Sequence, residues 1–414
     1  MTMNKVAHIQ VERISSASSP LHIAVVTETY PPDINGVAHT LSKMVQGLQD
    51  NGHVIWLIRP KHEKTDSAAA AQRYQEVLVK GLPIPFYKQL RMGLPAKGEL
   101  TRLWSKQRPD IVHIATEGPL GWSALQVAKK LKLPISTDFR TNFHAYSQHY
   151  GIGWLSGTVM AYLKKFHNTA HSTMVPTTEL RDELSQSGFK RLSVVPRGVD
   201  TNFFSPDKRS DALRAIWGAT QDSRVLLYVG RLAAEKNLNL IFQTYKRLLK
   251  QHPDIKLVLV GDGPLRNQLQ AQYPEAIFAG FQTGIALSQH YASADIFMFA
   301  SRTETFGNVT LEAMASGLAV VAFDHAAAGQ LIQSSVNGML ARADSDLDFE
   351  MAVQTLLNNR ELMAYIAQHA HASAKDLSWQ QIVEKTEAIF QQILTAHCEV
   401  NNLPLTIVPT HVAL

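Results

Sequence analysis

At 414 residues the chain exceeds what one ordinary hydrophobic core organises, and two domains of roughly 200 residues are expected. The residues are 45% hydrophobic and 18% charged, as in ordinary globular proteins, and no apolar run approaches the ~18 residues of a membrane-spanning helix. Forty basic against 35 acidic side chains leave a net charge of +5, without the zinc-finger, RNP or basic-helix pattern of a nucleic-acid binder.

Residues 1–20 are expected to form a flexible tail with a short Ser-rich stretch and no apolar leader segment. The first strand is predicted over residues 21–27. A turn-rich loop, Tyr30-Pro31-Pro32-Asp33-Ile34-Asn35-Gly36, leads into a helix over 37–49, which Gly52 closes before a strand over 53–58. The pattern repeats with strand 111–115, helix 120–131 and strand 135–137. Strand 173–175, helix 178–187 and strand 193–195 follow, with Gly188 as the helix C-cap. The chain then meets Pro196-Arg197-Gly198-Val199-Asp200. A second series runs through strands 225–229, 256–260, 277–279, 296–300 and 319–323, with helices 238–251, 265–273, 286–292 and 309–316 between them. Two such series imply two doubly wound α/β domains, expected at 21–198 and 199–377. A last helix over 378–395 has no strand left to pair with and can pack back on the first domain; residues 396–414 are expected to be a tail.

Open sheets of this kind bind ligands beyond the carboxyl ends of their strands, so chemistry-bearing residues belong in the loops there. After strand 296–300 comes Ser301-Arg302-Thr303-Glu304-Thr305-Phe306-Gly307-Asn308-Val309, running into a helix that carries Glu312. Glu304 and Glu312 can accept hydrogen bonds from sugar hydroxyls and a ribose diol, and the free N–H groups around Phe306, Gly307 and Asn308 suit anionic oxygens. Taken singly, Glu312 can equally serve the helix dipole and Glu304 the surface. After strand 225–229, Gly230 permits a tight turn, and Arg231 and Lys236 flank a helix start, an arrangement that suits a diphosphate or simply solvent. Gly261 and Gly263, after strand 256–260, allow close backbone approach or form only a turn.

The Glu304-x7-Glu312 segment resembles the signature of the retaining GT-B glycosyltransferases of family 4. The resemblance implies two facing Rossmann-like domains, a nucleotide diphosphate sugar as donor, and a lipid or glycan hydroxyl as acceptor. It implies Glu304 on the donor sugar, Glu312 on the ribose, and Arg231 and Lys236 on the diphosphate. Gly230, Gly261 and Gly263 then belong to the nucleotide side, and Gly36, in Asn35-Gly36, to the glycine loop beneath the diphosphate. Within Thr137-Asp138-Phe139-Arg140-Thr141-Asn142-Phe143-His144, Arg140 takes the place where many relatives carry histidine. Arginine stays protonated and cannot be a general base, so Arg140 is assigned as a cation near phosphate or acceptor. His144 is the candidate proton carrier, or else a packing histidine. Arg197-Gly198-Val199-Asp200 is similar to the family's hinge motif, with Arg197 as in bacterial mannosyltransferases that use GDP-mannose. The likeness covers most of residues 21–375 and puts mannose first. UDP-glucose or a UDP-hexuronate with a diacylglycerol acceptor is the alternative, and a non-catalytic nucleotide-sugar-binding protein a remote third.

Three further expectations concern partners and place. No metal or other cofactor is expected, because arginine and lysine supply the neutralisation a metal would give. Asp344-Ser345-Asp346-Leu347-Asp348 spells an Asp-x-Asp metal motif twice, yet its polar context reads as a loop with an N-cap. Residues 80–92 and Trp154, Leu155, Met160, Tyr162, Leu163, Lys164 and Lys165 interleave aromatic, apolar and basic side chains, suiting contact with an anionic membrane surface or plain packing. With one cysteine, Cys398, an internal disulfide is excluded, and a cytoplasmic address, at the inner face of the membrane, is expected.

Overall fold

The computed structural model describes residues 20–33, 35–62, 66–84, 87–140, 156–304 and 306–401. Its first half contains β1 (His22–Val26), α1 (Gly36–Asp50), β2 (Val54–Pro60), β3 (Ala70–Ala71), β4 (Tyr74–Val79), β5 (Gly81–Ile84), β6 (Tyr87–Gly93) and α2 (Lys97–Lys106). It continues with β7 (Ile111–Ile114), α3 (Pro119–Lys130), β8 (Ile135–Asp138), α4 (Ser156–His167), β9 (Ser172–Val175), α5 (Thr178–Gln186) and β10 (Leu192–Val194). Eight strands form one sheet in the order β10-β9-β8-β7-β1-β2-β4-β3, and the pairings are parallel except β3 on β4. The strands are short apolar runs buried on both faces, as parallel strands covered by helices must be.

The second half holds α6 (Asp211–Ile216), β11 (Val225–Val229), α7 (Leu238–Leu249), β12 (Lys256–Val260), α8 (Arg266–Gln272), β13 (Ile277–Gly280), α9 (Gly284–Ala292) and β14 (Ile296–Phe299). Then come α10 (Asn308–Ala315), β15 (Ala319–Phe323), α11 (Ala326–Leu331), β16 (Met339–Ala341), α12 (Asp346–Asn358), α13 (Arg360–Lys375) and α14 (Trp379–Asn401). The order β13-β12-β11-β14-β15-β16 is a doubly wound parallel sheet, whose strand order reverses between β11 and β14. The fold is thus α/β with two Rossmann-like domains, as the alternating pattern predicts.

The helix ends follow from local chemistry. Asn35 caps α1 by accepting the Ala38 N–H at 2.9 Å, and Thr177 caps α5 by accepting that of Leu180 at 3.2 Å. Ser345 caps α12 in the same way, taking the Asp348 N–H at 3.1 Å. Here the loop-and-cap reading of the Asp-x-Asp stretch holds: Asp348 pairs with Arg342 at 2.5 Å and Asp346 with Arg302 at 2.7 Å.

Both passages of the chain between the domains run side by side. Val199 pairs with Ser378 in an isolated bridge, its N–H meeting the Leu377 carbonyl at 2.9 Å. The chain then commits α14 to the first domain, where Ile382, Val383, Ile389, Phe390 and Ile393 join the core of Ile23, Leu41 and Val45. Gly47 of α1 lies so close to Val383 that a Cβ there would stand 2.4 Å from its Cγ2. The helix expected to stop at 395 continues to Asn401, so residues 396–401 are helical rather than tail. Once several turns are packed, each further residue adds a hydrogen bond at little nucleation cost.

Residues 60–107 depart most from expectation. β4 extends the sheet beside β2, and α2 buries Leu100 and Trp104. The stretch 80–92 forms the antiparallel hairpin β5–β6, with Leu82 exposed. Pro85, Phe86, Trp154 and Leu155 lie outside the described residues. Leu163, read as part of a membrane-facing stretch, is buried in a cluster with Phe139 and Val175, because α4 turns that face onto the sheet. Among the described residues no helix is long and apolar enough to cross a membrane.

Candidate active site

The strand-order reversal leaves a crevice at the carboxyl ends of β11 and β14, and the loops after both strands enter it. After β11 the chain makes a single 3-10 turn, Ala234–Lys236, then a left-handed residue, Asn237 (φ 51°), before α7. That turn brings the Lys236 ammonium onto the Glu304 carboxylate of the β14 loop. Thr303 Oγ1 donates to the Glu235 carbonyl at 3.3 Å and ties the two loops a second time. Lys236 and Glu304, 68 positions apart, therefore form one unit, each about four-fifths buried. Arg231 stands nearer solvent and reaches Glu235 at 3.5 Å.

Gly307 (φ 88°) turns the loop into α10, which begins at Asn308. Glu312 sits in the second turn of α10 and accepts the Tyr291 hydroxyl at 2.8 Å. Burial pushes its carboxyl up to about 7 against that hydrogen bond. The Phe306 side chain is packed in the core of the second domain, and its carbonyl accepts the Ala327 N–H at 2.9 Å. Only its amide is left for a ligand. A ring two positions past Glu304 is drawn inward because the loop closes over the end of β14.

Gly261 and Gly263 have a specific neighbour. A Cβ on Gly261 would lie 2.0 Å from the Gly230 carbonyl oxygen, and one on Gly263 would lie 2.4 Å from that of Leu232. The close approach these glycines permit is between the two loops, which also exchange the Leu232 N–H to Asp262 carbonyl bond at 2.9 Å. Gly230 and Gly261 thus seat the loop that carries Arg231 and Lys236 against its neighbour.

Across the gap stands the N-terminus of α1. A Cβ on Gly36 would come within 3.8 Å of the Asn308 side chain, so the N-termini of α1 and α10 approach each other. The loop before Gly36 is tied by Thr29 to Asp33 at 2.9 Å and by Asn35 to Thr29 at 2.8 Å. Two helix N-termini and a lysine facing one gap are suited to anionic oxygens.

Arg140 is carried by the first domain. It lies at the end of β8 with its side chain only 2% exposed, in an ion pair with Asp138. Arg197 approaches the other oxygen of Asp138 at 3.6 Å, and His113 stands 3.9 Å away. Burial lowers Arg140 to about 10 and His113 to about 4, so at neutral pH the arginine stays charged and the histidine neutral. The cation assigned to phosphate or acceptor meets the buried carboxylate through one nitrogen, and its Nε and Nη1 make no hydrogen bond in the described structure. His144 lies outside the described residues. Among the described residues no group of three or more His, Cys, Asp or Glu is arranged to hold a metal ion.

Sequence reasoning missed the contacts that join the domains at this gap. Glu179, in the first turn of α5, accepts the Ala326 N–H at 2.9 Å and meets His325 Nδ1 at 3.1 Å. The Thr178 N–H donates to Gln330 at 3.0 Å. No motif flags these residues.

Comparison with known proteins accords with this geometry. Residues 209–373 match the family described as Glycosyl transferases group 1, and residues 34–203 match Glycosyltransferase Family 4. The chain is 31% identical over 393 residues to a GDP-mannose-dependent alpha-mannosyltransferase of Corynebacterium glutamicum, covering 94% of this chain and 92% of that one. It is 28% identical over 343 residues to an alpha-monoglucosyldiacylglycerol synthase of Streptococcus pneumoniae, covering 79% of this chain and 76% of the other. Its fold is similar to the sucrose-phosphate synthase of Thermosynechococcus elongatus, with a TM-score of 0.75 at 17% identity over 90% of this chain and 99% of that one. With a family 4 segment in its first domain, a group 1 segment in its second, and the Lys236–Glu304 pair where the two domains meet, the chain belongs to the GT-B glycosyltransferases of family 4.

Proposed function

We propose that this glycosyltransferase moves a hexosyl unit, mannose from GDP-mannose before others, to a hydroxyl of a lipid or glycan acceptor with retention at the anomeric carbon. The observation that carries the reading is the Lys236–Glu304 pair in a gap that receives the N-termini of α1 and α10. Lys236 and Arg231 hold the diphosphate, Glu304 takes hydroxyls of the sugar, and Glu312, braced by Tyr291, takes the ribose diol. The anomeric carbon gains the acceptor oxygen and loses the phosphate oxygen, and the acceptor proton passes to the departing diphosphate. Positioning and stabilisation of the leaving charge supply the acceleration, with lysine and arginine in the role a metal would fill. Mannose is favoured by the likeness to the Corynebacterium glutamicum enzyme.

A second reading, UDP-glucose or a UDP-hexuronate with diacylglycerol as acceptor, draws on the likeness to the Streptococcus pneumoniae synthase. Peripheral attachment to an anionic membrane face accompanies either lipid acceptor; the exposed Leu82 of the β5–β6 hairpin supports it. Thermal unfolding with GDP against UDP separates the donors, and greater stabilisation by UDP removes the first reading. Incubation with radiolabelled nucleotide sugars and a membrane lipid extract then identifies the sugar moved. No labelled product with any donor defeats both.

A further inference from the structure

The gap beside Glu304 does not end at the Lys236 pair. It continues into an open crevice between the domains, with Thr177, Glu179 and Glu183 on one wall and Glu304, His325 and Ala326 on the other. The second wall is held in an unusual shape. Ala326 takes a left-handed backbone (φ 53°), and its N–H is delivered to the Glu179 carboxylate, which also holds the His325 ring. A recess adjoins the crevice through the same Glu304, His325 and Ala326, and Ser301 lines it. Ser301 is only 4% exposed, and its hydroxyl makes no hydrogen bond in the described structure. A buried hydroxyl without a partner, lining a recess that shares Glu304 with the crevice, matches a ligand carrying hydroxyls of its own.

The charge on these walls narrows the ligand further. Glu179, Glu183 and Glu304 all line the crevice, the Lys236 ammonium is already engaged by Glu304, and the His325 ring is held by Glu179. We infer that the crevice beside Glu304 receives the hydroxyl-bearing edge of an uncharged hexose and discriminates against donor sugars that carry a carboxylate or sulfonate. An acidic sugar would bring another negative charge among these carboxylates without a new cation to meet it. The inference rests on the reading of Glu304 as the sugar-binding carboxylate. It makes Ser301 and Glu183 residues that set sugar specificity.

The test compares donors that share a nucleotide. The full chain is titrated calorimetrically with GDP and UDP alone, then with GDP-mannose against GDP-mannuronate and UDP-glucose against UDP-glucuronate. Within the nucleotide that binds, the hexuronate is expected to bind at least ~30-fold more weakly than the neutral sugar, since one close like-charge contact at a protein surface is worth that much. Ser301→Ala is expected to weaken the neutral donor relative to the bare diphosphate, and Glu183→Gln to narrow the gap between neutral and acidic donors several-fold. Less than tenfold discrimination in the parent protein overturns the inference while leaving the nucleotide-sugar reading intact. Failure of both GDP and UDP to bind defeats that reading, and this inference with it.

Discussion

At the scale of single residues, the Lys236–Glu304 pair concentrates the proposed chemistry. Removing the lysine leaves a largely buried carboxylate unpaired at the place where the diphosphate and sugar meet. Lys236→Ala is expected to lower kcat/KM by ~100-fold or more while thermal unfolding shows a folded protein, because charge stabilisation at a leaving group is worth several kcal/mol. Turnover near the parent level, measured as nucleoside diphosphate release, would show that the diphosphate lies elsewhere. Glu312 offers a different test. Its folded-state carboxyl titrates near 7 rather than 4.5, so the native protein holds this proton more tightly than the unfolded chain. Its effect on stability is therefore absent below about pH 4.5, grows as a penalty while pH rises toward 7, and is constant above. Glu312→Gln should gain stability relative to the parent across that window and level off beyond it. Unfolding midpoints taken at a series of pH values give the comparison, and a flat difference would refute the assignment. Glu28, also raised to about 7 by burial at the start of α3, titrates in the same range, which is why the variant and not the parent curve is the measurement.

At the scale of elements, the second domain's crevice depends on two loops lying backbone against backbone. Gly261 combines a positive φ of 136° with a neighbour 2.0 Å from where a Cβ would be. Gly261→Ala is therefore expected to cost ~2–4 kcal/mol or more, since neither strain nor clash can be relieved by a side-chain rotation. Urea midpoints should fall, with nucleoside diphosphate affinity falling alongside because the loop that carries Arg231 and Lys236 shifts. A silent substitution would mean that the loops separate freely. The sequence places these glycines at strand ends but does not show that each lies against the other's loop. Composition shows where a chain can turn; which surface then lies against the turn depends on β11 and β12 being adjacent in the sheet. The same limit applies to Phe306, whose amide the sequence singles out but whose ring only the fold places in the core.

At the scale of the whole molecule, α14 fastens the C-terminal end of the chain to the domain that begins it. Its buried Ile382, Val383, Ile389, Phe390 and Ile393 are each worth about 1.5–3 kcal/mol on transfer from water. Their sum rivals the ~5–15 kcal/mol by which a domain is stable. Truncation after Ser378 is thus expected to unfold or aggregate the first domain, with rapid proteolysis between residues 21 and 196 as the readout. A truncated chain as protease-resistant as the parent would show that α14 only decorates the surface.

Alternation of short apolar strands with amphipathic helices was enough to predict two doubly wound domains, because those periodicities are local and the parallel sheet is the arrangement that buries them. The positions of Lys236, Glu304 and Glu312 at strand ends and helix starts were legible for the same reason. Which groups meet was not. Arg140 pairs with Asp138, and Glu179 meets Ala326 across 147 positions of chain. Burial and long-range pairing depend on how sheets and domains stack, and no stretch of residues carries that information alone.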